Sequence, residues 1–277
     1  MKILVVVQAR CSSTRLHAKV LLEAAGETLL LHQLRRISRA TLPWKTIIAT
    51  TTDRIDDAIV NLCNIHNYEV FRGHPIDLLD RHYQAALAFG ADIVVKIPSD
   101  CPLIDPKVID RVLQFYNDNQ NTYDYVSNLH PATYPDGNDV EILPLTVLHD
   151  AWVNASKPFE REHTTPYIWD NPNQFTIGNV ECPDGINYSM SHRWTLDYQE
   201  DYEFIRSVYE HLYPQNPNFS MKDILDLLAL HPEIAAINTH LAGVNWYRHH
   251  LKELQTVSSQ ATKNFINSSS LVYQQQD

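Results

Sequence analysis

Glycine is scarce in this chain, with 7 residues in 277 and the first at Gly26. Neither the Walker A pattern nor GxGxxG occurs, so an ordinary P-loop nucleotidase and a dinucleotide-binding dehydrogenase are disfavoured. Cysteine is sparse too. Cys11, Cys63, Cys101 and Cys182 stand far apart and form no CxxC, which argues against a disulfide framework or a zinc site and suits a reducing compartment. No run approaches the ~20 apolar residues of a membrane span. Lys2 and the apolar run after it open like a signal peptide, but the run stops at Gln8 without a small-residue cleavage site; the expected location is the cytoplasm. Positive charge is in deficit, 22 Lys and Arg against 33 Asp and Glu, for a formal charge of −11. A nucleic acid or a membrane surface as partner is therefore not expected. The fourteen histidines supply no HExxH and no recognisable triad, and His249-His250 reads as a helix surface.

Against that acidic balance, the first 22 residues contain no acid at all. Ile3 to Val7 are all apolar and rich in valine, the pattern of a strand buried on both faces of a sheet. Gln8, Ala9 and Arg10 follow, then the small run Cys11 to Thr14, then Arg15 and Lys19. A loop of small residues lets backbone N–H groups approach oxygens, and Arg and Lys neutralise them, so the stretch suits a phosphate chain. The alternative is a first strand followed by an exposed basic turn.

Further along, strand-like runs at 46–51, 68–71 and 92–97 alternate with helical stripes at 29–40, 55–66, 76–89 and 107–117, and Gly90 stands where a helix would end. Alternation at this spacing predicts a doubly wound α/β fold around a mostly parallel sheet, with a smaller insertion in the second half. Ligands in such sheets lie beyond the C-terminal strand ends, so the loops after Val7 and Ile97 are expected to share one cleft. The second half reads less regularly: strands at 123–127, 139–143, 175–180 and 193–196, helices near 145–152, 161–169 and 200–212, and Ser220 with Asp223 capping a helix to Leu230. One domain over 1–254 is expected, with 122–190 forming an acceptor or dimerisation part, and a loose polar tail over 255–277.

Asp100 follows the fourth strand directly, and Asp197 ends the segment RWTLD. Carboxylates opposite a phosphate loop suit Mg²⁺, which takes one or two of them together with phosphate oxygens. An N-cap role for Asp105 and Asp197 stays equally open. Tyr134 to Glu141 gathers Asp136, Asp139 and Glu141 around the turn pair Asp136-Gly137, either a hairpin with solvated acids or a surface for sugar hydroxyls. Arg161-Glu162-His163 suits an anion or a helix-surface ion pair.

The run Gln8-Ala-Arg-x-x-Ser-Thr-Arg-Leu-x-x-Lys19, taken with Ser99-Asp-Cys-Pro-Leu-Ile-Asp105, resembles the sugar cytidylyltransferases. These are the CMP–sialic acid and CMP–ketodeoxyoctonate synthetase superfamily, and the branch it looks most like is the spore coat polysaccharide biosynthesis protein F family. The likeness continues through ATTT (49–52), residues 71–85, YDYVSN, YPDGNDVEI, REHTTPYI and HRWTLD, to about residue 212. It implies a nucleotide-diphosphosugar-transferase fold, CTP as donor, a sugar acceptor, Mg²⁺ and a homodimer. Carried over by position, Arg10, Ser13, Arg15 and Lys19, with Gln8 and Ala9 beside them, hold the nucleotide. Arg72, Asp80 and Arg81 lie near it, and Asp100 and Asp197 hold the metal. Tyr134, Asp136, Asp139, Glu141, Arg161, Glu162 and His163 line the acceptor side, with Arg15, Lys19 and Asp100 nearest the chemistry. The chain departs from the family at Leu16-His17-Ala18-Lys19, where Leu-Pro-Gly-Lys is usual, and at Pro98-Ser99, next to which relatives place a base-reading Gln or Thr. A glycosyltransferase of the related A-type fold is a second reading, although the chain lacks DxD. A non-catalytic nucleotide-binding relative is a third.

Overall fold

In the computed structural model, which describes residues 1–42 and 44–263, the opening apolar run is the centre of the molecule. Strand β1 (Ile3–Gln8) sends Leu4 and Val6 into one core layer and Val5 and Val7 into another, all four 2% exposed or less. A strand covered on both faces needs apolar residues at every position, which is why alternation is missing there. Two short strands, β2 (Glu23–Ala24) and β3 (Glu27–Thr28), lead into helix α1 (Leu29–Ile37), capped by Thr28. Then come β4 (Lys45–Thr51), α2 (Asp57–Ile65), β5 (Glu69–Gly73), α3 (Leu78–Phe89), β6 (Ile93–Pro98) and α4 (Pro106–Asp118). Gly90 closes α3 with φ 63°, as its position after the apolar stripe predicts.

The second half adds β7 (Tyr125–Ser127), β8 (Glu141–Pro144), α5 (Leu145–Asn154), α6 (Pro158–His163), α7 (Pro166–Trp169) and β9 (Ile177–Asn179). Helices α8 (Gln199–Leu212), α9 (Met221–Leu230) and α10 (Pro232–Ala236) follow, and Ser220 with Asp223 forms the expected cap of α9. The main sheet runs β5-β4-β1-β6-β8-β7-β9. It is an α/β sheet with β5, β4, β1 and β6 parallel and β8 antiparallel between β6 and β7. The chain moves outward from β1 through β4 to β5 and then returns to its other side at β6. The direction of winding therefore reverses between β1 and β6, the position where such sheets open a crevice.

Two expectations change. Residues 193–196 are not a sheet strand: only a bridge between Asp136 and Arg193 forms, and the segment lies across the strand ends, with Leu196 N donating to Asp100 O at 2.9 Å. The polar composition after residue 254 suggested a loose tail, yet Gln255 and Thr256 donate their N–H groups to Asp170, and Lys263 N donates to Gly243 O at 2.7 Å. The remainder of that expected tail lies outside the described residues. Among these, no helix is long and apolar enough to cross a membrane.

Candidate active site

The loop after β1 is shaped from beneath by Asp56, a fully buried acid whose carboxylate accepts from Cys11 N at 2.7 Å and from the Thr51 hydroxyl. Cys11 O in turn accepts from Ser13 N and Ala18 N, both at 2.9 Å, which folds the loop back on itself. Ala18 takes the left-handed conformation, φ 48°, at a steric cost that a glycine there would not carry. Its exit delivers Lys19 into a cleft of about 1110 Å³.

Lys19 Nζ donates to Leu196 O at 2.6 Å and to Asp197 Oδ1 at 2.8 Å, and lies 3.8 Å from Asp100 Oδ2. Arg15 reaches the same Asp197 oxygen at 2.8 Å. Burial pulls Lys19 toward neutrality, but Asp197 and Asp100 outweigh it and keep the ammonium charged. Burial likewise opposes ionisation of Asp197, and Lys19 and Arg15 overcome it, holding that carboxyl at about 2. Behind it stands Arg193, its side chain 1% exposed, 3.5 Å from Asp197 and paired with the buried Asp201 at 2.9 Å. Asp201, not Asp197, takes the backbone N–H groups of residues 197 and 198 ahead of α8. The capping role goes to Asp201, which leaves Asp197 to the cleft. Asp105 does cap its helix, accepting from Lys107 N.

One ammonium bridging two acids means that the acids converge on a single point. Asp100 and Asp197 therefore fit Mg²⁺ as carboxylate ligands. Among the described residues no three acid, His or Cys side chains gather into a metal site, so phosphate or water oxygens have to supply the other ligands.

Across the cleft, Gly137 (φ 107°) runs so close to residues 194–195 that a Cβ would meet backbone atoms at 2.7–2.8 Å. Only glycine permits that approach, and it sets Asp136 3.4 Å from Arg193. Burial, against the pull of Arg193, raises the Asp136 carboxyl to about 7. Burial, with Asp136 and Asp100 nearby, raises Asp139 well above the usual carboxylate range. Both are half-buried acids that line the cleft. Glu141 is spoken for: it pairs with Lys96, accepts from Tyr125 Oη at 2.6 Å and from the Thr165 hydroxyl, and is 2% exposed.

The cleft brings together Gln8, Ala9, Arg10, Ser13, Arg15, Lys19, Arg81, Asp100, Tyr134, Asp136, Asp139, Glu141, Glu162, His163 and Asp197. Three expected residues lie elsewhere. Arg72 donates to Thr51 O and Asp53 O and pairs with Asp57, lining a separate open depression of 490 Å³. Asp80 accepts from Trp152 Nε1 at 2.8 Å, which turns it toward α5. Arg161 clamps Asp77 at 2.6 Å and Trp152 O at 2.6 Å, tying α6 to α3 and α5. Each stood in a family-like run, Asp80 and Arg161 directly beside a cleft residue, and sequence position did not reveal which way a side chain turns.

Sequence reasoning also missed cleft residues. Lys96 sat inside a strand-like run with no motif of its own, and Arg193 stood in the family-like run HRWTLD, where only Asp197 was singled out. In the wall built by Gly243 to His250, only His249-His250 drew a reading, as a helix surface. Arg193 Nη1 donates to Val244 O at 3.0 Å, and Trp246 stacks on His163 at 3.9 Å, so this segment closes the side of the cleft formed by Arg193 and His163. Burial lowers His163 to about 3 and His130, stacked on Trp169, to about 4, so both rings are neutral near pH 7.

Residues 4–222 match the family model described as cytidylyltransferase. An uncharacterized protein of Methanocaldococcus jannaschii is 34% identical over 87% of this chain and 96% of its own length. The spore coat polysaccharide biosynthesis protein SpsF of Bacillus subtilis is 29% identical over 84% of this chain and 96% of its own. Among solved structures, a cytidylyltransferase from Leptospira borgpetersenii superposes with a TM-score of 0.80 at 31% identity, covering 85% of this chain and 97% of that one.

Proposed function

The chain belongs to the cytidylyltransferase family, and we propose that it transfers CMP from CTP to an acidic or modified sugar, with Mg²⁺, for a cell-surface polysaccharide. The observation that carries this reading is Lys19 reaching both Asp100 and Asp197, with Arg15 beside it, in one cleft. The Bacillus subtilis relative's role in spore coat polysaccharide supports the glycan destination.

In this reading the triphosphate competes with Asp197 for Arg15 and Lys19, whose charges the site preserves. A sugar hydroxyl attacks the α-phosphorus in line; the new P–O bond forms as the bond to pyrophosphate breaks, and the hydroxyl proton passes to water. Arg15 and Lys19 neutralise charge on the oxygens, and the cleft walls hold the two reactants in register. Mg²⁺, held by Asp100 and Asp197, supplies further neutralisation of the α-phosphoryl group and the leaving pyrophosphate when bound. In this reading neutral His163 and the Gly243–His250 wall, which line the same cleft, face the sugar.

Pyrophosphate release from CTP, measured with Mg²⁺ over a panel of acidic sugars that includes 3-deoxy-manno-octulosonate, tests the proposal. Release that depends on both CTP and one acceptor is expected. No release across the panel would contradict it.

A further inference from the structure

Six buried side-chain polar atoms lack a hydrogen-bond partner among the described residues, and Gln8 Oε1 is the one whose residue lines the cleft. The Gln8 amide nitrogen makes no hydrogen bond to a described residue, and the residue as a whole is half-buried. A buried amide oxygen ordinarily finds a hydrogen-bond partner. Left empty it destabilises the fold, whereas an apolar side chain of similar shape does not.

The backbone around Gln8 serves the sheet, registered with Ala49 on one side and Pro98 on the other. Its side chain continues the Leu4–Val6 row out of the core and arrives at the cleft. Two residues beyond Pro98, roughly 7 Å along an extended chain, stands Asp100. Leu78 and Arg81 at the start of α3 line the same part of the cleft, and Arg10 lies two residues along. The amide is thus set back from the charged end by a distance suited to a nucleoside.

Resting on the cytidylyltransferase reading, we propose that Gln8 reads the nucleotide base, its amide oxygen accepting from the exocyclic amino group of cytosine and its NH₂ donating to the ring N3. An amide presents an acceptor and a donor side by side in one plane, the complement of that edge. The flanking sheet positions cannot do this: Ala49 has no polar side chain, and Pro98 has neither a polar side chain nor an N–H. The base-reading amide thus sits on the neighbouring strand from the Pro98-Ser99 position.

Calorimetric binding of CTP and of inorganic tripolyphosphate, both with Mg²⁺, to the wild type and to Gln8→Leu tests this, alongside the melting temperature of each protein without ligand. The wild type is expected to bind CTP more tightly than tripolyphosphate. Gln8→Leu is expected to melt no lower, to lose about 10- to 100-fold in CTP affinity, and to keep its tripolyphosphate affinity within about twofold. Gln8→Glu retains the shape and an acceptor but has no N–H for N3, and it should lose CTP affinity in the same sense. A CTP affinity unchanged in both variants overturns the assignment, as does equal loss of both ligands. A wild type that binds both ligands equally overturns base reading and leaves the phosphate site standing. One that binds neither takes the cytidylyltransferase reading down as well.

Discussion

Lys19 is the residue on which the site turns, because a single ammonium faces two carboxylates from a distant part of the chain. Lys19→Met leaves Asp100 and Asp197 without their bridge and the phosphates without a cation. Turnover should fall about 10²- to 10³-fold, checked by steady-state pyrophosphate release. One residue earlier, Ala18 occupies a left-handed turn that glycine enters freely. Ala18→Gly should therefore hold or raise stability, by up to about 1 kcal/mol, in urea unfolding. The buried histidines predict a pH dependence. His130 has a folded pKa of about 4, below the ordinary value of 6.5, so its contribution is intact above pH 6.5 and is lost as pH falls toward 4. Unfolding at pH 5 should take up about one proton fewer in His130→Gln than in the wild type, measured from the pH dependence of the melting temperature. The cationic residues were legible because an acid-free stretch stands out in an acidic chain. The ring stacks were not, since they join residues far apart in sequence.

At the scale of elements, β6 and β8 are held together in the core by Lys96 and Glu141, with side chains 10% and 3% exposed. Their partners Tyr125 and Thr165 extend the link to β7 and to the start of α7. Removing one member strands a buried charge, so Glu141→Gln should cost about 3–5 kcal/mol, measured by denaturant titration. Lys96→Met with Glu141→Leu should recover most of that loss. The parallel half of the sheet was readable because strands buried on both faces are apolar throughout, as Ile3 to Val7 show. The 193–196 segment, Arg-Trp-Thr-Leu, alternates like a half-buried strand for a different reason. Trp194 and Leu196 pack against α8, with Phe204 and Ile205, and not into a sheet face. Burial leaves the same trace in a sequence whether or not a ladder of hydrogen bonds accompanies it.

Across the whole molecule, the C-terminal segment completes a cleft whose charged end is built from residues 10–19, 100 and 193–197. Asp170 anchors it, accepting from Gln255 N, Thr256 N and the Thr256 hydroxyl at 2.8–3.0 Å. Asp170→Ala should raise the acceptor KM more than the CTP KM and speed proteolysis within 241–263, because in the proposed reaction the wall it secures faces the acceptor. A polar, Ser- and Gln-rich composition hid this role: the segment is held by backbone hydrogen bonds and a few aromatic contacts, neither of which needs an apolar pattern.

The central claim is that the opening loop and the two aspartates form a single nucleotide and metal site. The most direct measurement is the dissociation constant of CTP with and without Mg²⁺, by calorimetry, in the wild type and in Asp100→Asn. Mg²⁺ should tighten CTP binding in the wild type, and that gain should vanish in the variant while the fold is retained. An equal gain in both proteins, or none in the wild type, would contradict the claim.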